Sequence, residues 1–200
     1  MAKVTCKGLT YAKVSGGGDG SAVTYTGGKA LVDYLCKVDI GENRDSVKEH
    51  ADGHQIDSEN MLNEVTLALE LANSNSDIKN DILGHVTSGT GASAESQVTG
   101  ADAPFVGIGF ILANRFKGTT TYEAYWFYKM QFTSGGVTAN TRREQTQFDH
   151  ETINGSGSGV VLTSGGATVF YAYKDGCSTE ADARTWLNTK AGVSSSQQPQ

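Results

Sequence analysis

The sequence predicts a mainly β fold, a β-sandwich or barrel-like arrangement with one or two short flanking α-helices. Three observations carry this. Glycine is abundant and proline scarce, 25 against 2 in 200 residues, and the glycines punctuate segments that alternate in polarity. Asn63 to Ala72 alternates with period two, with Val65, Leu67, Leu69 and Leu71 on one side and Thr66, Ala68 and Glu70 on the other. Two long runs, Phe105 to Asn114 and Thr121 to Phe132, read as strands of a hairpin across Arg115-Phe116-Lys117-Gly118.

The remaining elements follow in chain order. Leu9 to Val14 reads as a strand closed by the glycine-rich Ser15 to Gly20, and with Ala22 to Thr26 this is either a hairpin or a mobile loop. Val32 to Ile40 is the next strand. Gly41 to Asn60 is a polar stretch with charges of both signs and few apolar anchors, read as a long loop; such loops in compact domains are functional or disordered. After the alternating strand, Ser74 or Ser76 caps a two-turn helix through Asp77 to Leu83, stopped by Gly84.

Thr87 to Asp102 lacks periodicity and reads as a loop. In the second aromatic run, Tyr122, Trp126, Tyr128 and Met130 share one face and Tyr125 and Phe127 the other. Either the chain covers both faces itself or a neighbouring subunit completes one. Gln145 to Asn154 is a further strand, Gly155 to Gly159 a turn, and Val160 to Thr163 pairs with Ala167 to Lys174, where Val169, Tyr171 and Tyr173 share a face. Ser178 or Thr179 then opens a second helix, about 179–191, ending before Gly192. The expected organisation is one domain over 1–193, with a flexible tail at 194–200.

Composition excludes several function classes. The net charge is −6, opposite in sign to what phosphate-gripping nucleic-acid proteins need. Cys6, Cys36 and Cys177 are odd in number and lack CxxC spacing, and the first residues lack the apolar stretch of a signal peptide, so synthesis in a reducing cytoplasm is expected. No apolar run is long enough to span a bilayer.

Catalytic motifs are missing too. Gly28-Lys29 lacks the flanking residues of a phosphate loop, and Gly155 to Gly159 puts glycine where a nucleophile elbow needs serine. His50, Asp52 and His54 would share a face if extended, but the segment is not a zinc-protease motif and a solvated loop is the better reading. No catalysis, cofactor or metal is expected.

The order of segments is more specific than any single motif. Gly8 to Val14, Val23-Thr24-Tyr25, Ala51-Asp52-Gly53, Asn63 to Leu67, Asp81 to His85, Ala103 to Phe110, Tyr125 to Phe132 and Ala181 to Leu187 follow one another as in a known family. In this order the chain resembles the major tail proteins, or tail tube proteins, of long, non-contractile-tailed bacteriophages and prophages. It departs from the family between Asn154 and Gly166 and at its C-terminus.

The resemblance implies a phage tail tube fold whose subunits form hexameric rings, stacked into a conduit for DNA in the virion tail. It implies that the protein, made in the host bacterial cytoplasm, partners itself, the tape measure protein, the tail terminator and the distal tail protein. DNA would pass without specific binding, and no membrane is engaged. By position, the stretch Gly41 to Asn60 corresponds to the family's ring-stacking loop, with Glu42, Asn43, Arg44, Asp45, Lys48, Glu49, His50, Asp52, His54, Asp57 and Glu59 as its polar contacts. Several of the 22 Asp and Glu residues are expected to face the lumen, where like charge keeps the duplex from adhering. Two alternatives stand beside this: a monomeric binding or decoration module on a virion or cell surface, and the tube of a phage-tail-derived bacteriocin.

Overall fold

The computed structural model describes residues 2–51, 54–134 and 150–193. In chain order the elements are β1 (Ala2–Gly16), β2 (Thr24–Leu31), β3 (Leu35–Ala51), β4 (His54–Leu71), α1 (Ser76–Ile82), β5 (Val86–Ser88), β6 (Glu95–Gln97), β7 (Val106–Phe116), β8 (Thr119–Ser134), β9 (Glu151–Gly157), β10 (Val160–Val161), β11 (Thr168–Val169), β12 (Tyr171–Cys177) and α2 (Glu180–Ala191). Eight strands form one antiparallel sheet in the order β2-β1-β7-β8-β9-β4-β3, with β12 also paired to β8. The fold is mainly β and sandwich-like, with two short helices. The tail 194–200 and the start of the expected 145–154 strand, residues 145–149, lie outside the described residues.

β8 is the branching strand. Its Tyr122–Phe127 segment pairs with β12 and its Met130–Ser134 segment with β9, while β7 occupies the other edge. The chain covers both aromatic faces of β8 itself: Trp126 and Phe127 point opposite ways and neither is exposed. On one side Phe127 joins Val65, Leu67, Leu69 and Leu71 of β4, Ile108 and Phe110 of β7, and Ile78 and Ile82 of α1. On the other side Trp126 joins Ile111 and the α2 residues Ala183 and Leu187. Burying a leucine or valine contributes about 1.5–3 kcal/mol, so the alternation along β4 secures the sandwich interior.

Several local expectations are corrected. Met130 lies with Phe127, not with Trp126, because β8 gains a residue against β7 between the Ile108–Phe127 and Val106–Met130 pairs. Such a bulge reverses the side to which every later residue points. Val169 joins the α2 side while Tyr171 joins the sandwich interior, since the chain changes strand at Phe170. Gly155 to Gly157 belong to β9 and are not a turn; Gly155 and Gly157 have no side chains, which lets Phe132 and Met130 lie across them. Only Val160–Val161 pairs with Thr168–Val169, and the rest of that predicted hairpin partner pairs with β8. The loop read at Thr87 to Asp102 contains the small β5–β6 hairpin. The turn between β7 and β8 is tighter than expected, with only Lys117 and Gly118 between the paired Phe116 and Thr119, both at positive φ as a two-residue hairpin requires.

The helices are set by their caps. Asn75, and neither Ser74 nor Ser76, caps α1, its Oδ1 accepting from the Ile78 N–H at 3.0 Å. Thr179 caps α2 by accepting from the Asp182 N–H at 3.1 Å, and Gly192 ends it in the left-handed conformation at φ 64°. A glycine is required at Gly109, where a Cβ would sit 2.6 Å from Leu187 Cδ2 and 2.5 Å from the Tyr125 carbonyl, so α2 lies close on the sheet there.

Asp81 fastens α1 to the first hairpin. Its carboxylate takes Lys13 Nζ at 2.8 Å and Lys29 Nζ at 2.6 Å, and accepts the Tyr11 hydroxyl at 3.2 Å. Partial burial pushes the Asp81 carboxyl up, but the hydrogen bonds from Lys13 and Lys29 outweigh it and hold it below the usual aspartate range. Burial, then Asp81, drives the Tyr11 phenol up, so it stays a donor.

D81N is expected to cost about 1–2 kcal/mol at pH 7, because both lysines are partly exposed and solvent screens the pairs. A carboxylate with a depressed folded pKa stabilises above its unfolded value, near pH 4, and loses that contribution as pH falls through the folded value. Urea unfolding at pH 7 and pH 3 checks this. The gap between wild type and D81N should close in acid, and a gap unchanged at pH 3 would refute the assignment.

Candidate assembly surface

The stretch Gly41 to Asn60, read from sequence as a loop, is a hairpin arm. β3 and β4 pair along their whole length, from Leu35–Leu71 to Ala51–His54. Only the base of this hairpin belongs to the sheet, because β9 pairs with β4 from Val65 to Leu71 and no further. Beyond it, 43–51 and 54–64 pair only with each other among the described residues. At about 3.3 Å per residue the arm is about 30 Å long.

The loop reading failed for a physical reason. A strand is legible through alternation only when one face is buried, and none of 43–46, 48 and 60–64 is buried, so the charges and hydroxyls there follow no period. A two-stranded ribbon of this kind is marginally stable alone in water, and it exposes unpaired backbone groups along both outer edges.

The structure brings the sequence-predicted residues together on this one element. Glu42, Asn43, Arg44, Asp45 and Lys48 lie exposed on β3, and Glu49 and His50 continue that strand. His54, Asp57 and Glu59 lie on β4. Asp52 lies outside the described residues. His50 pairs with Gln55 and His54 with Ala51, so the two histidines occupy different register positions.

The root of the arm is held by side chains that the sequence gave no means of connecting. Glu42 Oε1 accepts the Tyr171 hydroxyl at 2.7 Å, and Glu42 Oε2 takes Arg44 Nη2 at 2.8 Å. The Tyr171 hydrogen bond, helped by Arg44, keeps the Glu42 carboxyl below its ordinary range, and the same bond pushes the Tyr171 phenol up to about 12. On β4, Asn63 is the bulge residue between the Asn43–Glu64 and Arg44–Leu62 pairs, and its amide donates to Asp45. Tyr171 lies 129 residues from Glu42, and no local pattern marks the pair.

Other open surfaces flank the arm. The outward face of β3, β4, β8 and β9 forms a shallow groove of small and neutral polar groups, among them Thr66, Ala68, Gln131, Thr133, Asn154 and Ser156, with Asp39 at its edge. The free edge of β3 faces the start of β1, where Cys6 Sγ donates to the Cys36 carbonyl at 3.3 Å and Cys36 Sγ lies 3.9 Å from His150. That histidine is remote from every cysteine in sequence. Among the described residues, no three His, Cys, Asp or Glu side chains are grouped to hold a metal, and no helix is long and apolar enough to cross a membrane.

Set against known proteins, the chain matches no family model, and no curated protein matches it.

Proposed function

We propose that this chain is a major tail tube subunit of a long, non-contractile phage tail, a structural protein that assembles into stacked, hexameric rings around a DNA conduit. The observation that carries the reading is the arm. A 30 Å ribbon with open edges on both sides has little reason to persist in a monomer, but it has the reach and the unpaired backbone to engage another subunit. The order of segments resembling tail tube proteins supports the same conclusion, as does a sheet whose interior is filled by the chain's own side chains and whose outward face is open along β3, β4 and β9, beyond the part that α2 covers.

The conduit role fits the electrostatics. A net charge of −6 and an outward sheet face dominated by hydroxyls and amides offer no cluster of cations to hold phosphates. Tape measure, terminator and distal tail proteins are the further partners of this proposal, and the virion tail its location. Negative-stain microscopy of the purified protein tests it: rings or tubes about 30 Å or more in repeat are the expected result. Particles that remain monomeric across concentration and salt would overturn it in favour of a binding or decoration module.

A further inference from the structure

β3 is the last strand of the sheet, and its free edge passes β1, with Cα atoms of the two strands within 8 Å of each other. Among the described residues β2 pairs with β1 only from Leu9 onward, so β1 also has an open edge from Lys3 to Cys6. The two open edges border one depression of about 490 Å³, with Cys6 on one side and Cys36 on the other.

Two of the three cysteines therefore meet across this seam. Cys6 Sγ donates to the Cys36 carbonyl at 3.3 Å. That oxygen lies about 2.4 Å from its own Cα, which puts the Cys6 sulfur within about 5.7 Å of the Cys36 Cα. A disulfide spans Cα separations of about 4.4–6.8 Å, a range that two adjacent unpaired strand edges can adopt. Cys36 is also the extra residue of a bulge in β3, between the Leu35–Leu71 and Lys37–Glu70 pairs, so cross-strand pairing does not fix its side chain. It is exposed, and its Sγ lies 3.9 Å from both ring nitrogens of His150. Rotation about χ1 turns the same sulfur towards Cys6. Cys177 is buried in the separate cluster beneath α2, with Trp126 and Leu187.

We infer that Cys6 and Cys36 form a dithiol site that a small-molecule disulfide oxidises to a Cys6–Cys36 bond, with His150 taking the proton from Cys36. Burial pushes the Cys6 thiol above its ordinary range, which keeps it protonated and gives the first attack to Cys36. The Cys36 thiol passes its proton to His150, and its sulfur attacks one sulfur of the small disulfide. That S–S bond breaks, Cys36 is left in a mixed disulfide, and the departing thiolate takes the proton from His150. Cys6 then bonds the Cys36 sulfur and gives its own proton to the second departing thiolate. The two protein thiols lose two electrons, and the small disulfide is reduced to two thiols. In reducing surroundings the pair stays open; in oxidising ones it closes and joins β3, which continues into the arm, to β1. The inference goes beyond the tube reading and does not depend on it.

Incubating the reduced protein with oxidised glutathione tests it. Of the three free thiols two are expected to be lost, the intact mass to fall by two hydrogens, and a peptide map to join Cys6 to Cys36. The cysteines are 30 residues apart, so the midpoint of thermal unfolding should rise by about 5–10 °C and return on reduction. C6S is expected to stop at glutathione held on Cys36, and C36S to keep Cys6 as a thiol. H150A should slow the first step at least about fivefold and reach the same product.

Three surviving thiols, a bond to Cys177, or copies joined to one another through Cys36 would overturn the pairing. H150A reacting at the wild-type rate would overturn the part given to the histidine. Circular dichroism reports the fold of each variant, and the wild-type map decides the pairing even where a variant does not fold.

Discussion

Deleting Glu49 to Glu59 and replacing Val47-Lys48, which then lie between the paired Ser46 and Asn60, with Asn-Gly leaves a folded subunit that no longer forms tubes. The fold survives because, among the described residues, these strand segments pair only with one another, while β9 joins β4 only from Val65 onward. The root, where β9 pairs with β4 and Tyr171 holds Glu42, is left intact. Asn-Gly supplies the positive φ that a tight hairpin turn needs.

The midpoint of thermal unfolding should therefore stay within a few degrees of wild type, while assembly weakens by at least about 100-fold, equivalent to about 3 kcal/mol per contact. Sedimentation velocity and negative-stain microscopy on the same preparation read both quantities. Tubes of normal appearance would remove the arm from the assembly surface. Loss of the folded signal would instead show that the arm is part of the domain's own stability.

Legibility in the sequence followed burial closely. β4 was readable because Leu67, Leu69 and Leu71 are held against water-excluded neighbours and Thr66 and Glu70 are not, so period two is printed in the residue types. The α2 helix was readable through Thr179, Lys190 and Gly192, whose roles at helix ends are local. The outer 20 residues of the β3–β4 hairpin were read as a loop because a strand without a buried face has no such constraint on its composition. Composition marks this stretch only as functional or disordered; its role as a ring-stacking contact is what the resemblance to tail tube proteins implies by position.

What stayed hidden depends on register and on distant pairing. One extra residue in β8 moves Met130 across the sheet, and one at Asn63 shifts the register of β3 against β4. Bulges leave little trace in composition, yet they decide which side every later residue occupies. The Glu42–Tyr171 bond and the Cys36–His150 approach join segments far apart in the chain. Each needed the strand order before it became visible.

Trp126→Ala is expected to be the most damaging single substitution in the domain, at about 3–5 kcal/mol. Trp126 is fully buried on the β8 face that α2 covers, in the cluster with Ala183 and Leu187. Its ring meets Tyr25 edge to face, with centroids 5.3 Å apart and planes at 88°. Its Nε1–H donates to the Tyr25 hydroxyl at 3.2 Å, and that hydroxyl donates onward to the Tyr128 carbonyl at 2.9 Å. Burial raises the Tyr25 phenol well above its usual range, so it remains protonated and able to relay the bond.

Alanine removes the ring, opens a void between sheet and helix, and leaves the Tyr25 oxygen without its donor. Phenylalanine keeps most of the volume and loses chiefly the Nε1 bond, for which about 1–2 kcal/mol is expected. Urea unfolding separates the two through their midpoints at a common slope. Equal losses for alanine and phenylalanine would place the energy in the hydrogen bond, whereas a negligible loss for alanine would mean that α2 is not held by this cluster. Because Trp126 pairs with Ala172 but its void opens on the face opposite the sandwich interior, where the Tyr171 side chain does not lie, the surviving folded fraction of either variant should still assemble, which separates damage to the domain from damage to its arm.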